Sequence, residues 1–214
     1  MMMDFLTTNG SELLFKTGEH FYISALALML GVLVAVPLGI ALTRFKRYSS
    51  FIISFVSILQ TIPSLALLAL MIPLFGIGKL PAIVALFIYS LLPILRNTFI
   101  GISNVDSNII DSAKGMGLTD NQIILQVKLP LAAPVIMSGI RLAGVYVIAW
   151  ATLASYIGAG GLGDYIFNGL NVYDQEMIIW GTLPVTVLAL LADFLLGKLE
   201  RFVSPQTTSA KGGN

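Results

Sequence analysis

Five long, nearly uninterrupted apolar runs constrain this chain more than any other feature. They cover residues 21–43, 51–75, 80–102, 131–157 and 177–196. Each is as long as the roughly 20 residues a helix needs to cross about 30 Å of hydrocarbon. Inside lipid no water satisfies backbone polar groups, so runs of this length read as helices. The expected class is an all-α, polytopic membrane protein with about five transmembrane helices. The second run is interrupted by Gln60, Pro63 and Pro73, the third holds Pro93 and Arg96, the fourth Arg141, and the fifth Pro184 and Asp193.

Charge content agrees. Only 11% of the 214 residues are charged, against about 25% in soluble domains. The net charge of +1 creates no field that would recruit nucleic acid. With no cysteine, disulfides, thiolate metal sites and cysteine nucleophiles are excluded. A single histidine, His20, argues against a histidine-built metal site or triad. Residues 1–19 carry Asp4, Glu12 and Glu19 against Lys16. The run that follows is too long for a signal-peptide core, so this segment reads as an extracellular N-terminal extension.

Arg44, Lys46 and Arg47 follow the first run and place that loop in the cytoplasm. The N-terminus is then outside and the C-terminus inside. Lys114, Lys128, Lys198, Arg201 and Lys211 fall inside, while Asp164, Asp174 and Glu176 fall outside. Residues 20–201 form one transmembrane domain, and the polar tail 202–214 reads as disordered.

The longest cytoplasmic loop, 103–130, is a polar island expected to form two short helices. Asn104 or Asp106 caps the first. Ile109, Ile110, Ala113 and Met116 lie on one helical face. Gly115 and Gly117 end it. Thr119 and Gln122 make a capping-box pattern for the second helix, and Pro130 stops it or starts the next span. An apolar stripe on such a loop needs something to dock on.

These residues resemble the cytoplasmic loop of ABC importer permeases, whose pattern is Glu-Ala-Ala, three residues, Gly, nine residues, Ile-x-Leu-Pro. Here Asp111, Ser112 and Ala113 stand first, Gly117 follows, and Val127, Lys128, Leu129 and Pro130 close the motif at the same spacing. The stretches 60–102 and 154–174 are similar to permeases for glycine betaine, carnitine and choline. The resemblance implies a type I importer fold in the plasma membrane. It also implies a second permease, identical or homologous, two cytoplasmic ATPases and an extracellular substrate-binding (lipo)protein. No cofactor is expected in this chain, because ATP-Mg is bound by the partner ATPase. The sequence has no G-x-x-x-x-G-K-[ST] phosphate loop. Gly158, Gly160 and Gly163 match G-x-G-x-x-G, but without the strand–helix setting that gives that motif meaning. They read as a flexible extracellular turn.

Polar groups in lipid are costly and face protein or water. Gln60, Thr61 and Ser64 cluster beside Pro63, and Tyr89 and Ser90 precede Pro93. Tyr146, Trp150 and Thr152 share the fourth span. Aromatic rings attract quaternary ammonium at about 0.5 to 2 kcal/mol each, which makes Tyr89, Tyr146 and Trp150 candidate path residues. Helix packing is the plainer role for each of these groups. Arg141 and Asp193 read as interfacial or paired charges. An importer for another small solute, such as an amino acid, is the alternative. A channel or secondary transporter would need intramembrane acids, of which the spans hold almost none apart from Asp193, and a membrane enzyme would need a grouped catalytic set.

Overall fold

The computed structural model describes residues 2–204, with side chains from Thr8 onward. Among these residues every regular element is helical. The order is α1 (Met2–Arg44), α2 (Lys46–Thr61), α3 (Ser64–Phe75), α4 (Lys79–Ser103), α5 (Ser107–Gly115), α6 (Asp120–Gln122), α7 (Leu129–Ala151), α8 (Gly163–Val172) and α9 (Gln175–Val203). A π-helical stretch, Ile123–Lys128, joins α6 to α7, and a 3₁₀ stretch, Thr152–Ile157, follows α7.

Among the described residues, four helices are long and apolar enough to cross a membrane: Thr8–Arg44, Lys79–Ser103, Asp120–Ile157 and Gln175–Val203. The remaining expected span, 51–75, is a pair of helices, α2 and α3, bent by 96°. Pro63 has no N–H to donate and disfavours helical conformation at Ile62 before it. Ile62 accordingly turns extended at ψ 128°. The pair still traverses the bundle. Lys79, just past α3, lies 2.6 Å from Glu19, and Glu19 is about 37 Å along α1 from Arg44 at 1.5 Å per residue. Arg44 and the loop 104–128 therefore sit at one end of the bundle, and Lys79 and the 158–164 loop at the other.

α1 runs unbroken through the boundary expected near residue 19, and α9 continues to Val203, past the expected start of the tail. The rest of that tail, 205–214, lies outside the described residues.

In lipid, helices associate by close packing of small residues. α1 presents Gly31, Ala35 and Gly39 at four-residue spacing to Ser90, Ile94 and Thr98 of α4. A Cβ on Gly31 would stand 2.0 Å from Ser90 Oγ, and one on Gly39 would stand 2.7 Å from Thr98 Cβ. α7 repeats the device. A Cβ on Gly139 would lie 2.8 Å from the Pro93 carbonyl oxygen of α4. The core forms in two halves along this α1–α4–α7 stack. Ile23, Leu68, Leu86 and Val147 lie in one, and Leu42, Ile94, Ile102 and Ile136 in the other. α9 buries only Gly181. Its exposed Leu183, Val187, Leu190 and Phe194 suit lipid or another membrane helix.

Candidate functional site

The loop between α4 and α7 is built by its own capping residues. Asp106 begins α5: its side chain accepts from the Asn108 N–H at 2.8 Å. Asn104, the other expected cap, instead ends α4. Ala113 is buried and Ile110 half-buried against the body, while Ile109 and Met116 face outward. Asp111 and Ser112 are exposed, and Ser112 Oγ donates to the Asn108 carbonyl at 2.8 Å. α5 ends in a Schellman motif. The Gly117 N–H bonds the Lys114 carbonyl at 2.9 Å and the Leu118 N–H bonds the Ala113 carbonyl at 3.2 Å. That closure needs a left-handed residue at its corner, and Gly117 supplies it at φ +84°. Gly115 is the last residue of α5 but does not take the left-handed conformation, which falls to Gly117.

The second expected loop helix is not a separate element. Thr119 and Gln122 do form the capping box. The helix they start then runs through the π stretch into α7, so the fourth span extends from Asp120 to Ile157. Pro130 neither stops it nor starts it. The ladder has already widened to five-residue bonds, with the Leu129 N–H reaching the Ile124 carbonyl, and Pro130 falls in the following turn. Val127 and Leu129 are half-buried and Pro130 is exposed.

The path candidates divide. Pro93 has no N–H, so the Tyr89 carbonyl loses its helical partner. Gln60 Nε2 donates to that oxygen at 3.4 Å. In return Tyr89 Oη donates at 2.5 Å to the carbonyl of Ile62, at the break between α2 and α3. Two proline-disrupted elements thus satisfy each other's freed carbonyls. Tyr89 is buried at 4% exposure, and its hydroxyl staples the elbow. Its ring packs on Trp150, centroids 4.6 Å apart, and Trp150 stacks on Tyr146 at 5.5 Å. Trp150 is half-buried and Tyr146 is 41% exposed, so these two offer an accessible aromatic face. Thr61 is exposed and donates to the Ile58 carbonyl, Pro63 is exposed, and Ser64 is half-buried at the elbow. Ser90 is buried and packs against Gly31.

Arg141 and Asp193 find each other. Nε meets Oδ1 at 2.5 Å and Nη2 meets Oδ2 at 2.7 Å, a two-pronged pair that bolts α7 to α9. Glu200 adds a third contact at 3.4 Å.

A network at the opposite end was not read from sequence. Lys16 Nζ lies 2.6 Å from Asp164 and 3.6 Å from Glu19, and Glu19 also accepts from the Gly161 N–H at 3.3 Å. His20 is fully buried beside it, with Nε2 3.0 Å from the Ile148 carbonyl. The glycine-rich turn is therefore a packed, ion-tied structure and not a flexible one. Gly158, Gly160 and Gly161 take positive φ there. The only signal available in sequence was the placement of opposite charges in the N-terminal half of α1 and in the turn. Among the described residues, no group of three or more His, Asp or Glu could hold a metal.

Comparison with known proteins gives a consistent result. The family described as binding-protein-dependent transport system inner membrane component matches residues 27–206. The chain is 60% identical over 205 residues to the glycine betaine/carnitine/choline transport system permease protein OpuCB of Bacillus subtilis (strain 168), covering 96% of this chain and 94% of that protein. It is 58% identical over 205 residues to the carnitine transport permease protein OpuCB of Listeria monocytogenes, with the same coverage of both. It is 59% identical over 204 residues to the choline transport system permease protein OpuBB of Bacillus subtilis (strain 168), covering 95% and 94%. Among solved structures, an inward-facing form of the MetNI methionine ABC transporter superposes with a TM-score of 0.82 at 22% identity, covering 90% of this chain and 96% of that one. An amino acid ABC transporter gives 0.76 at 20% identity, covering 92% and 96%. These two likenesses establish the fold.

Proposed function

The chain belongs to the binding-protein-dependent transport system inner membrane component family, and on that premise we propose that it is the permease of an ATP-driven importer for quaternary ammonium osmoprotectants. The substrates are glycine betaine, carnitine or choline. The observation that carries this reading is near-full-length identity close to 60% to permeases named for those solutes. The accessible Tyr146–Trp150 face supports it chemically. Rings hold a methylated cation through cation–π contact without a fixed anion, and weak holding favours release.

In this reading the end bearing Arg44, Lys46 and Arg47 is cytoplasmic. α5 and its Gly117 corner seat on a partner ATPase, which binds ATP-Mg and supplies the energy. Asp111, Ser112, Ala113 and Gly117 form the seated surface. Val127, Leu129 and Pro130 carry its movement directly into the fourth span, because no break separates the loop from α7. A second permease, identical or homologous, completes the membrane part, and an external binding protein delivers the solute. Gln60, Tyr89 and the Pro63 elbow act as a hinge beside the path, and Tyr146 and Trp150 line it.

The test is uptake of radiolabelled solutes into vesicles containing the assembled transporter with its binding protein saturating. Methylated ammonium compounds are expected to be carried, and Trp150→Leu is expected to lower the maximal rate more than the apparent affinity. Transport only of amino acids lacking a methylated nitrogen would overturn the substrate assignment and leave the importer reading standing.

A further inference from the structure

A cavity of about 660 Å³ opens between the end of α1 and the loop that follows α4. Arg44, Lys114 and Lys128 line it, with Asp120 as the one carboxylate among its lining residues. Arg44 Nη2 donates to Asn121 Oδ1. That bond fixes the guanidinium and leaves most of its five donors for something else. Lys114 reaches only Asp111, at 3.8 Å on the exposed side. That exposed pair holds Lys114 loosely, and the charge of Lys128 is left for an occupant.

Two further features locate the cavity. Ile123, Ile124 and Lys128 in its wall all come from the π-helical stretch. Such stretches are rare and recur at functional sites. Here the widened turn puts two isoleucines and a lysine on one concave surface, so the wall is half greasy and half cationic. Phe45 and Tyr48, directly after Arg44, are exposed at 60% and 58%. Exposed aromatics at a span end mark the headgroup level of a bilayer. Arg44, which lines the cavity, directly precedes them, so the α1 side of the cavity adjoins that level.

We propose that this cavity holds the phosphate of an anionic phospholipid of the cytoplasmic leaflet, with Arg44 and Lys128 as its chief contacts, Lys114 as a third, and Ile123 and Ile124 against the glycerol and upper acyl chains. Basic pockets between membrane helices on the cytoplasmic side suit such headgroups. α5 contributes Ile110 and Lys114 to the wall, so an occupied cavity holds the coupling helix in a fixed pose. The siting rests on the orientation given under Proposed function.

The experiment uses the assembled transporter, delipidated in detergent and supplied with phosphatidylglycerol or with phosphatidylcholine of the same acyl chains. Retained lipid is counted by native mass spectrometry. Preferential retention of phosphatidylglycerol is expected. Lys128→Gln, Arg44→Gln and Lys114→Gln should each lower it about five-fold, the effect of roughly one basic residue at an anionic surface. Lys128→Arg should preserve it. Arg201→Gln, exposed in the last turn of α9, should leave it unchanged. An equal loss with Arg201→Gln would reduce the effect to general surface charge and overturn the site. Displacement of the lipid by inorganic phosphate would assign the cavity to a soluble anion instead. Unchanged retention in the Arg44→Gln/Lys128→Gln double variant would also sink it. ATPase co-purification is followed on the same samples. An ATPase that fails to co-purify even with the unaltered, lipid-loaded permease would count against the coupling reading and leave this one intact.

Discussion

At the end of the bundle that holds Glu19, four charged side chains from α1, the start of α4 and the 158–164 turn interlock. Glu19 touches Lys16, Lys79 and the Gly161 N–H, and Lys16 also holds Asp164. At the other end, the 104–128 segment satisfies itself. Its caps are local, its single ion pair is between Asp111 and Lys114, and the one side-chain bond that ties it to α1 is Arg44–Asn121 among the described residues. The first end is finished within the chain. The second presents Ile109 and Met116 to the outside and is complete as a shape but not as an interface. Under the proposed coupling role, an end tied by cross-element ion pairs and a self-shaped end free to dock would suit a subunit driven from one face.

The largest effect that would break this contrast lies at the finished end. A Cβ on Gly163 would stand 2.0 Å from the Thr152 carbonyl oxygen, a backbone atom that cannot rotate away. Gly163→Ala should cost at least the 1 to 3 kcal/mol typical of overpacking, read as a clear drop in the melting temperature of the purified transporter. An unchanged melting temperature would mean that the turn yields easily.

Glu19→Gln comes next. It removes the charge shared by two lysines while keeping the shape. Hydrogen bonds to charged groups contribute about 1.5 to 3 kcal/mol, and the Glu19 side chain is only 12% exposed, so screening discounts little. A lower melting temperature is expected, with Lys16→Met partly additive, since Lys16 keeps its own bond to Asp164. No change would show the network to be ornamental.

Gly117→Val sharpens the comparison from the other side. Nothing lies within 4 Å of a Cβ built there, so no clash arises. The left-handed corner alone costs a branched residue roughly 1 to 2 kcal/mol. The expected result is a normal melting temperature with ATPase co-purification and substrate-stimulated hydrolysis reduced several-fold. Normal coupling would remove this loop from the transmission path.

Much of this contrast was legible in the sequence. The five apolar runs, the Asp106 cap, the capping box and the glycine corner depend on local chemistry, and each was read within a few residues. What escaped was non-local. No pattern within 51–75 distinguishes a loosened span from a 96° elbow, because the elbow is held open by Gln60 and Tyr89 from different elements. The continuity of the loop into α7 was masked by Pro130, whose missing N–H is absorbed by a π turn that no composition announces. Tyr89 has the right chemistry for a cation site, and its burial against Trp150 became visible only once α4 and α7 were packed together. The turn at 158–163 looked flexible because glycine permits flexibility. Glu19 and His20, some 140 positions earlier, take it away.

The smallest effect tests whether the undocked end is shaped by its own residues. Thr119 Oγ1 accepts from the Gln122 N–H at 3.4 Å, and Gln122 Oε1 accepts from the Thr119 N–H at 2.8 Å. Both partners lie on the exposed loop, so no burial or ion pair reinforces them. Thr119→Ala removes one half of the box, which costs about 1 kcal/mol at a helix start, and the remaining Gln122 contact becomes one-sided. Because this start is continuous with the fourth span, the loss frays only residues 119–122 and the melting temperature should stay within error. Amide hydrogen exchange of the 118–124 peptide should speed up by about five-fold, and Thr119→Ser, which keeps the oxygen, should restore it. If Thr119→Ala leaves exchange untouched, the loop is held by the π stretch alone and the capping box contributes nothing. If it lowers the melting temperature as much as Glu19→Gln does, the two ends are equally integrated and the contrast between them fails.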